Sequence, residues 1–438
     1  MSPVYLISHE VVKCSAMPCV GLGYIGAYLK SKGIQPEIFD TNYLRESPYE
    51  MTVLGGLHVS LIEGQILDAP DVDFAITGDG EVPFYALVQR LEEGREQFSD
   101  IPGLIYRDKG HVRVNPAITI DNLDDLPYPD YRLAGIDTIS NYPLITSRGC
   151  PYKCKFCTVG NISRGSWKFR SVENIIGEIK SASENYKIKK FTIIDENFSQ
   201  KMERVVTFCN ALIEEGIDVS WSVMEGMRAD KINKEILDLL KKSGCHSIMF
   251  GIETIENAEL ADASTDKKMR DINRAVKLSH DAGFEVGGYF IVGLPGSTYQ
   301  TVMNSVTYAK QNLDSAIFWM AIPYLNTPLY EQVIKEHKLL RHPVGENVIN
   351  SLSTKPFFET EAFPRRRVKK AHVVANLEMG NYYFLENWKR YQDVGLLGRS
   401  LPRIKLILVI LTYHPTFLFR FIAQQITLKF RPAGHQTP

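Results

Sequence analysis

The chain has 438 residues, enough for two or three domains with a large hydrophobic core. Its 50 basic and 51 acidic residues nearly cancel, so the net charge gives no reason to expect a nucleic-acid partner. The seven cysteines lack a disulfide-like framework, the N-terminus lacks a secretory pattern, and no uninterrupted apolar run reaches about 18 residues. These features predict a cytoplasmic protein in a reducing compartment.

Short apolar strands alternate with helices over the first domain, residues 1–120. Strands are predicted at residues 4–8, 37–40, 51–56 and 74–77, and helices at 21–31 and 82–93. This alternation favours a small, doubly wound parallel sheet, with glycines at the strand ends where a ligand could approach the backbone. Only residues 41–50 separate the second strand from the third, which is too short for a crossover unit.

A linker, residues 121–142, separates this domain from the core. A hairpin is predicted just before it, with strands at 101–106 and 111–114 around Lys109-Gly110. The linker carries Pro127 and Pro129, which exclude regular structure over residues 121–130.

Six strands alternate with helices over the core, residues 143–335. Strands are predicted at 144–147, 191–195, 219–223, 247–251, 286–292 and 316–321, and helices at 172–185, 202–215, 231–243, 269–282 and 299–311. The pattern predicts an α/β fold, a partial (β/α)6 TIM-like barrel. Barrels of this kind place their chemistry at the carboxyl ends of the strands.

Three cysteines follow the first core strand with the spacing C-x3-C-x2-C: Cys150, Cys154 and Cys157. A tetrahedral zinc site needs four protein ligands, and no fourth Cys or His is near. Three thiolates on one tight loop suit a cubane iron–sulfur cluster that leaves one iron open. Reduced structural thiols and a partial zinc knuckle are the alternatives.

Polar residues follow several later strands at the same end of the predicted barrel. They are Asp195-Glu196-Asn197, Glu225, Arg228 and Glu253. Carboxylates can accept hydrogen bonds from ammonium and hydroxyl groups, and a guanidinium can bind a carboxylate. The alternative for each residue taken singly is a helix cap or a surface ion pair.

The cysteine motif, with aromatic Phe156 before its last cysteine, resembles the signature of the radical S-adenosylmethionine (radical-SAM) family. The resemblance implies a [4Fe–4S] cluster on Cys150, Cys154 and Cys157. S-adenosylmethionine would bind the open iron and be cleaved reductively to a 5′-deoxyadenosyl radical, which abstracts hydrogen from the substrate.

The core also resembles the cobalamin-associated subgroup of that family, and this resemblance implies further cofactor contacts. Asp195 or a neighbour would face the methionyl amine, Arg228 the carboxylate and Glu253 the ribose. The adenine would meet the backbone of the fifth strand; the residues concerned are Phe290, Ile291 and Val292. The loop after the sixth strand reads Leu325-Asn326-Thr327, where many relatives have Pro-Gly-Thr.

The first domain resembles a shortened cobalamin-binding domain. Its matching segments are residues 18–24, the turn Gly55-Gly56-Leu57-His58 and the turn Gly78-Asp79-Gly80-Glu81. Cobalamin is therefore an open third cofactor. With it, the expected outcome is methyl transfer to carbon; without it, rearrangement, cyclisation or oxidation.

The C-terminal region, residues 336–438, is predicted to be helical with a basic, apolar tail. Arg365-Arg366-Arg367 and Lys369-Lys370 read as a solvated helix face, with a phosphate-bearing substrate as the alternative. Residues 394–438 contain six basic residues and no acidic one, between apolar runs. This composition favours peripheral contact with the inner face of a membrane, or else a cover over the barrel.

The functional expectation is a radical-SAM enzyme acting on a small-molecule or lipid-like substrate. It implies a reducing partner such as a flavodoxin or ferredoxin. The alternative is a non-catalytic iron–sulfur scaffold that retains the fold. Retention of Asp195, Arg228 and Glu253 argues against a scaffold, which has no need of a cofactor pocket.

Overall fold

A computed structural model describes residues 4–8, 17–40, 51–263, 268–343, 355–381 and 411–414. The short interval 41–50 and most of the basic tail lie outside these ranges. Among the helices in the described ranges, none has the length and apolar character that a bilayer crossing requires.

The described residues of the N-terminal region form two small sheets and three α-helices. β1 (Val4–Ser8) and β2 (Pro36–Asp40) pair in parallel, and the second sheet has the order β3-β4-β5-β6. Its strands are β3 (Val53–Gly55), β4 (Phe74–Ile76), β5 (Leu104–Asp108) and β6 (His111–Val114). The helices are α1 (Val20–Ser31), α2 (Leu57–Ile62) and α3 (Glu81–Glu92), with a 3-10 helix at Glu63–Asp68.

The predicted hairpin is present as β5 and β6, and it packs within the N-terminal region. β5 pairs antiparallel with β4, so the hairpin extends the second N-terminal sheet. Phe74 and Ile76 of β4 are buried in one cluster with Leu104 and Tyr106 of β5. The edge of β4 is apolar, and pairing with β5 satisfies its backbone groups while removing these side chains from water.

The linker contains only two short 3-10 turns, Leu123–Asp125 and Tyr131–Ala134. Asn122 and Asp130 cap them by accepting hydrogen bonds from backbone N–H groups. Buried Tyr131 packs against α1 at Gly23, where an added Cβ would lie 2.6 Å from the ring. The linker therefore fastens α1 to the core through a contact that only glycine permits.

The core is a parallel sheet of six strands in the order β14-β13-β12-β11-β10-β7, as the sequence predicted. Its strands are β7 (Tyr142–Leu144), β10 (Lys190–Ile193), β11 (Ser220–Met227), β12 (Cys245–Glu253), β13 (Glu285–Val292) and β14 (Ser315–Met320). A short antiparallel pair, β8 (Ser147–Gly149) and β9 (Trp167–Phe169), stands outside this sheet. The helices are α4 (Val159–Ile162), α5 (Val172–Tyr186), α6 (Met202–Glu214), α7 (Lys234–Lys242), α8 (Asn257–Asp262), α9 (Met269–Asp281), α10 (Tyr299–Asn312) and α11 (Pro328–Glu336).

The two faces of the sheet differ in burial. Along β12 to β14 buried residues alternate with half-buried ones, and the buried set forms the main core with the helices. Trp221 and Phe191 stack in this core with ring centroids 5.9 Å apart. The half-buried residues face the concave side, so the curvature leaves an open cleft that the strand ends surround.

A further helix, α12 (Arg365–Glu378), covers the exposed edge of the sheet. The Asn376 amide donates to the Phe318 carbonyl at 2.9 Å and accepts from the Phe318 N–H at 3.4 Å. It thereby takes the place of a neighbouring strand for β14. Arg365, Arg366 and Arg367 are exposed, which confirms a solvated face.

The described part of the tail, residues 411–414, packs against α12. The His414 Nε2 atom is 2.6 Å from Glu378 Oε1, and Lys369 Nζ lies 5.3 Å from the centre of the Tyr413 ring. Next to α12 the chain also forms a short antiparallel pair, β15 (Lys338–Leu339) and β16 (Phe358–Glu359).

Candidate functional site

The three clustered thiols lie on the loop that joins β8 to β9, which we call the thiol loop (residues 150–166). Cys150 directly follows β8, and the Cys157 N–H donates to the Cys154 carbonyl at 3.1 Å. All three side chains are partly exposed and none is in a disulfide. The loop thus presents its sulfur atoms at the carboxyl end of the sheet.

Backbone contacts hold the middle of the thiol loop to the last part of the barrel. The Lys155 N–H donates to Ala263 at 3.1 Å, and the Leu329 N–H donates to the Lys155 carbonyl at 3.0 Å. Asn161 donates through its side chain to the Asn326 carbonyl. Asn326 has φ +62°, a left-handed conformation that Asn tolerates better than most residues, so this departure from glycine keeps a workable turn.

The thiol groups are near one another but are not assembled into a metal site. Burial raises the pKa of Cys157, and the nearby Cys150 and Glu253 act in the same direction. In the described part of the chain, no three His, Cys, Asp or Glu side chains converge closely enough to hold a metal ion. Three thiols on one short loop supply suitable donors for a cluster, which they bind as thiolates.

Asp195, the residue predicted to face a methionyl amine, is fully buried behind the thiol loop. Its Oδ1 accepts from the Thr146 N–H at 2.6 Å. Its Oδ2 accepts from the Ser147 hydroxyl at 2.6 Å and from the Thr146 hydroxyl. Burial raises the pKa of Asp195, while these hydrogen bonds and the Arg204 charge oppose that rise. Both oxygens are engaged, so Asp195 positions the strand that leads to the thiols.

Its neighbour Glu196 instead points into the cleft, where it meets Glu225. Both side chains reach solvent, yet protein surrounds them closely enough for burial to raise both pKa values. Charge repulsion from Asp195 also raises the pKa of Glu196, and charge repulsion from Glu196 also raises the pKa of Glu225. Glu196 also accepts from the Gly149 N–H at 3.2 Å. This arrangement forms an acidic wall suited to a cationic group.

Glu225 reaches the cleft because β11 contains a bulge. The register with β12 shifts between Val223 and Met227, which makes β11 longer than predicted. Gly226 within the bulge has φ +101°, and an added Cβ there would lie 3.2 Å from the Gly251 nitrogen. A bulge re-aims the side chains beside it, here at the end of the strand.

Arg228 lies at the same edge and contacts the thiol loop directly. Its guanidinium carbon is 4.4 Å from the centre of the Tyr152 ring, within cation–π range. Its Nε donates to Asp230 at 2.8 Å, and its backbone N–H donates to the Ser199 hydroxyl at 2.9 Å. The predicted carboxylate-binding cation is therefore held beside the thiols by three neighbouring elements.

Glu253 ends β12 in a backbone conformation that favours glycine. Its φ is +67°, and the register with β13 shifts between Gly251 and Glu253. Its charge is close enough to Cys157 to raise the pKa of that thiol. Backbone strain retained in a non-glycine residue is common at functional sites.

The aromatic and fifth-strand residues divide between the two faces of the sheet. Phe290 and Val292 are buried on the helix side, where Phe290 stacks on Phe318 with ring centroids 4.6 Å apart. Ile291 points the opposite way and packs in the same cluster as Phe156. Phe156 thus joins the thiol loop to the fifth strand, whose backbone was predicted to meet an adenine.

Comparisons with known proteins agree with this geometry. The sequence profile of the radical SAM superfamily matches residues 144–309. An uncharacterized methyltransferase of Pyrococcus horikoshii is 33% identical over 296 residues, covering 66% of this chain and 64% of that protein. Residues 144–309 of this chain form a radical SAM domain.

A further relative matches a comparable share of the chain. Cytidylyl-2-hydroxyethylphosphonate methyltransferase of Streptomyces wedmorensis is 26% identical, covering 69% of this chain and 66% of that protein. The chain therefore spans about two thirds of the length of these two curated relatives.

Two solved structures share the fold. The cobalamin-dependent S-adenosylmethionine radical enzyme OxsB has a TM-score of 0.64 at 16% identity, covering 95% of this chain and 72% of that one. The radical S-adenosylmethionine methyltransferase TsrM of Kitasatospora setae has a TM-score of 0.62 at 17% identity, covering 76% and 78%.

Proposed function

We propose that this radical-SAM protein is an enzyme that reductively cleaves S-adenosylmethionine and abstracts hydrogen from a small-molecule or lipid-like substrate. The observation that carries the proposal is the meeting of three features at one strand edge. These are the thiol loop, the acidic wall of Glu196 and Glu225, and the Arg228 cation stacked on Tyr152.

Cys150, Cys154 and Cys157 would hold a [4Fe–4S] cluster, which supplies the electron and an open iron when bound. Around it, the chain's own residues bind and orient the nucleotide. Glu196, the residue next to Asp195, accepts from the methionyl ammonium, while Arg228 pairs with the carboxylate. Glu253 accepts from the ribose hydroxyl groups.

The adenine would lie along the backbone of Phe290, Ile291 and Val292. Ile291 and Phe156 share one apolar cluster beside the thiol loop, which offers an apolar contact for the ring. The charges at the acidic wall and at Arg228 have opposite signs. A zwitterion therefore has one preferred orientation in the cleft, with its two charged groups near the sulfur atoms.

Cobalamin is proposed only as an additional cofactor of the N-terminal domain. The TsrM and OxsB structures described above both have cobalamin bound. In this chain the turn Gly55-Gly56-Leu57 is exposed and open to a ligand. Corrinoid bands in the visible spectrum of anaerobically purified protein would support cobalamin and methyl transfer; a cluster spectrum alone would favour another radical outcome.

A reducing partner such as a flavodoxin or ferredoxin would supply the electron, and the basic tail would contact the membrane at its inner face. The relatives extend beyond the length that this chain matches. The substrate and the partners named here are therefore proposed for this chain. The cleft of half-buried apolar side chains fits an apolar part of the substrate.

Anaerobic reconstitution with iron and sulfide tests the proposal. The wild type given dithionite and S-adenosylmethionine should bind about four irons and release 5′-deoxyadenosine. Cys157→Ala should lose both, whereas Cys19→Ala, which removes an exposed thiol outside the loop, should keep both. A protein that binds iron but neither binds nor cleaves S-adenosylmethionine would instead be an iron–sulfur scaffold.

A further inference from the structure

The turn Gly78-Asp79-Gly80-Glu81 of the N-terminal domain grips an arginine of the thiol-loop hairpin. Arg148 Nη1 donates to Asp79 Oδ1 at 2.9 Å and to Glu81 Oε2 at 3.3 Å. Arg148 Nη2 donates to Glu81 Oε1 at 2.6 Å. One guanidinium therefore bridges two carboxylates of another domain with the paired geometry that makes such contacts strong.

This ion-pair cluster is largely shielded from solvent. The side chain of Glu81 is 5% exposed and that of Arg148 20%. Burial disfavours the charge on Arg148, but Glu81 and Asp79 outweigh it and raise the pKa of the guanidinium. The guanidinium also lies 5.2 Å from the centre of the Tyr24 ring of α1. Removing one member would leave a buried charge without its partner.

Arg148 is the middle residue of β8 and stands two positions before Cys150. β8 has only three residues, and its pairing with β9 places Arg148 opposite Lys168. Lys168 in turn reaches Asp121 of the linker at 2.8 Å. Both strands of the hairpin that carries the thiol loop are therefore tied to groups outside the core.

The far side of the same turn packs against the segment that leads into the linker. The Asp79 Oδ2 atom accepts from the Ile120 N–H at 2.8 Å. Gly78 has φ +84°, and an added Cβ there would lie 3.1 Å from the Ile118 carbonyl. The glycine serves close packing, and the acidic residues serve Arg148.

From this geometry we infer that Asp79, Glu81 and Arg148 form an interdomain clamp that positions the thiol loop for cluster binding. The clamp rests on the proposed function, since it acts on the cluster that the loop would hold. It gives the N-terminal domain a role that is independent of any corrinoid. The three residues are positioning residues, because they touch the loop's supporting strand and not the reacting atoms.

The test uses full-length protein with two clamp variants and one matched control. Arg148→Met removes the cation, and Glu81→Gln removes one charge with little change in shape. Lys30→Met removes another ion pair of α1, that with Asp130 of the linker at 2.8 Å, which does not contact the thiol loop. Circular dichroism first establishes that each variant is folded.

The first readout is the rate at which the reconstituted cluster loses iron to a ferrous chelator under reductant. We expect Arg148→Met to release iron about tenfold faster than the wild type, Glu81→Gln about threefold faster, and Lys30→Met within about twofold. In the apo proteins, hydrogen exchange of peptides covering residues 147–169 should rise in the two clamp variants alone.

The second readout is the midpoint potential of the cluster, which separates positioning from general loss of stability. Arg148→Met adds net negative charge near the cluster and should lower the potential, whereas Glu81→Gln should raise it. Opposite shifts with faster iron release in both variants support the clamp. Iron release and exchange at wild-type rates in both clamp variants would overturn it. A wild type that takes up no cluster would instead refute the proposed function, so the two failures are distinct.

Discussion

Replacing Asp195 by alanine should destabilise the protein before any cofactor is added. The substitution removes the acceptor for the Thr146 N–H, the Thr146 hydroxyl and the Ser147 hydroxyl, all in residues that are at most 1% exposed. A backbone N–H left unpaired in the interior costs about 1–3 kcal/mol. Arg204 also loses its nearby carboxylate.

The total decrease in the free energy of unfolding should be smaller than the sum of these effects. Burial already raises the pKa of Asp195, so the mutation also removes a poorly solvated charge. The two hydroxyl groups can rotate toward other acceptors, whereas the backbone N–H cannot. We expect a net decrease in the free energy of unfolding of about 3 kcal/mol.

Urea unfolding of the apo protein, followed by tryptophan fluorescence, measures this decrease because Trp221 is fully buried in the core. Glu196→Ala is the matched control. It removes one hydrogen bond at 3.2 Å and one source of charge repulsion, so its stability should stay within about 1 kcal/mol of the wild type.

Calorimetry with S-adenosylmethionine then separates the two carboxylates. Glu196→Ala should weaken binding by about tenfold or more, because it removes an acceptor that stays partly solvated in the free protein. An Asp195→Ala protein as stable as the wild type, but unable to bind S-adenosylmethionine, would show that Asp195 is a ligand group and would refute our placement of it.

Four further outcomes follow from particular residues. His372 is buried, which lowers its pKa to about 4, so stability should fall as the pH drops below about 6.5 and the unfolded chain alone takes a proton. Urea unfolding should show that the wild type loses about 2 kcal/mol of unfolding free energy at pH 5, and that His372→Gln does not have this loss. A variant with the same pH profile as the wild type would contradict this. Gly226→Ala should lose about 1–3 kcal/mol by thermal denaturation, because its φ is +101°, and unchanged stability would exclude the bulge. Glu253→Gly should keep the apo stability within about 1 kcal/mol while weakening S-adenosylmethionine binding; intact binding would remove Glu253 from the ribose site. Deletion of residues 415–438 should reduce sedimentation with anionic liposomes, and equal sedimentation would count against membrane contact.

Periodic segments were predictable from the sequence, and short or tertiary features were not. The six core strands were recognised because each is an apolar run flanked by helical segments, and their order in the sheet follows the chain. β8 and β9 have three residues each and lie 17 residues apart, so no local pattern connected them. The added length of β11 had one signal, a glycine inside an apolar strand beside Glu225.

The candidate site shows the same division between local pattern and tertiary contact. The thiol spacing was visible in a single run of residues, whereas the role of Asp195 depends on which atoms surround it. Its carboxylate stands at the predicted strand end but turns inward to Thr146 and Ser147. The Arg148 clamp joins residues 67 positions apart, which a reading of one sequence could not pair.

The contacts beside α12 fix two points of the C-terminal region, at Asn381 and His414. The chain leaves this helix at Asn381, whose amide donates to the Ala316 carbonyl at 2.7 Å, and it returns where His414 meets Glu378. Two described points of the C-terminal region, Asn381 and His414, are therefore fixed beside the same few turns of helix. A surface that bound the chain at these two points would meet the barrel on its β14 flank.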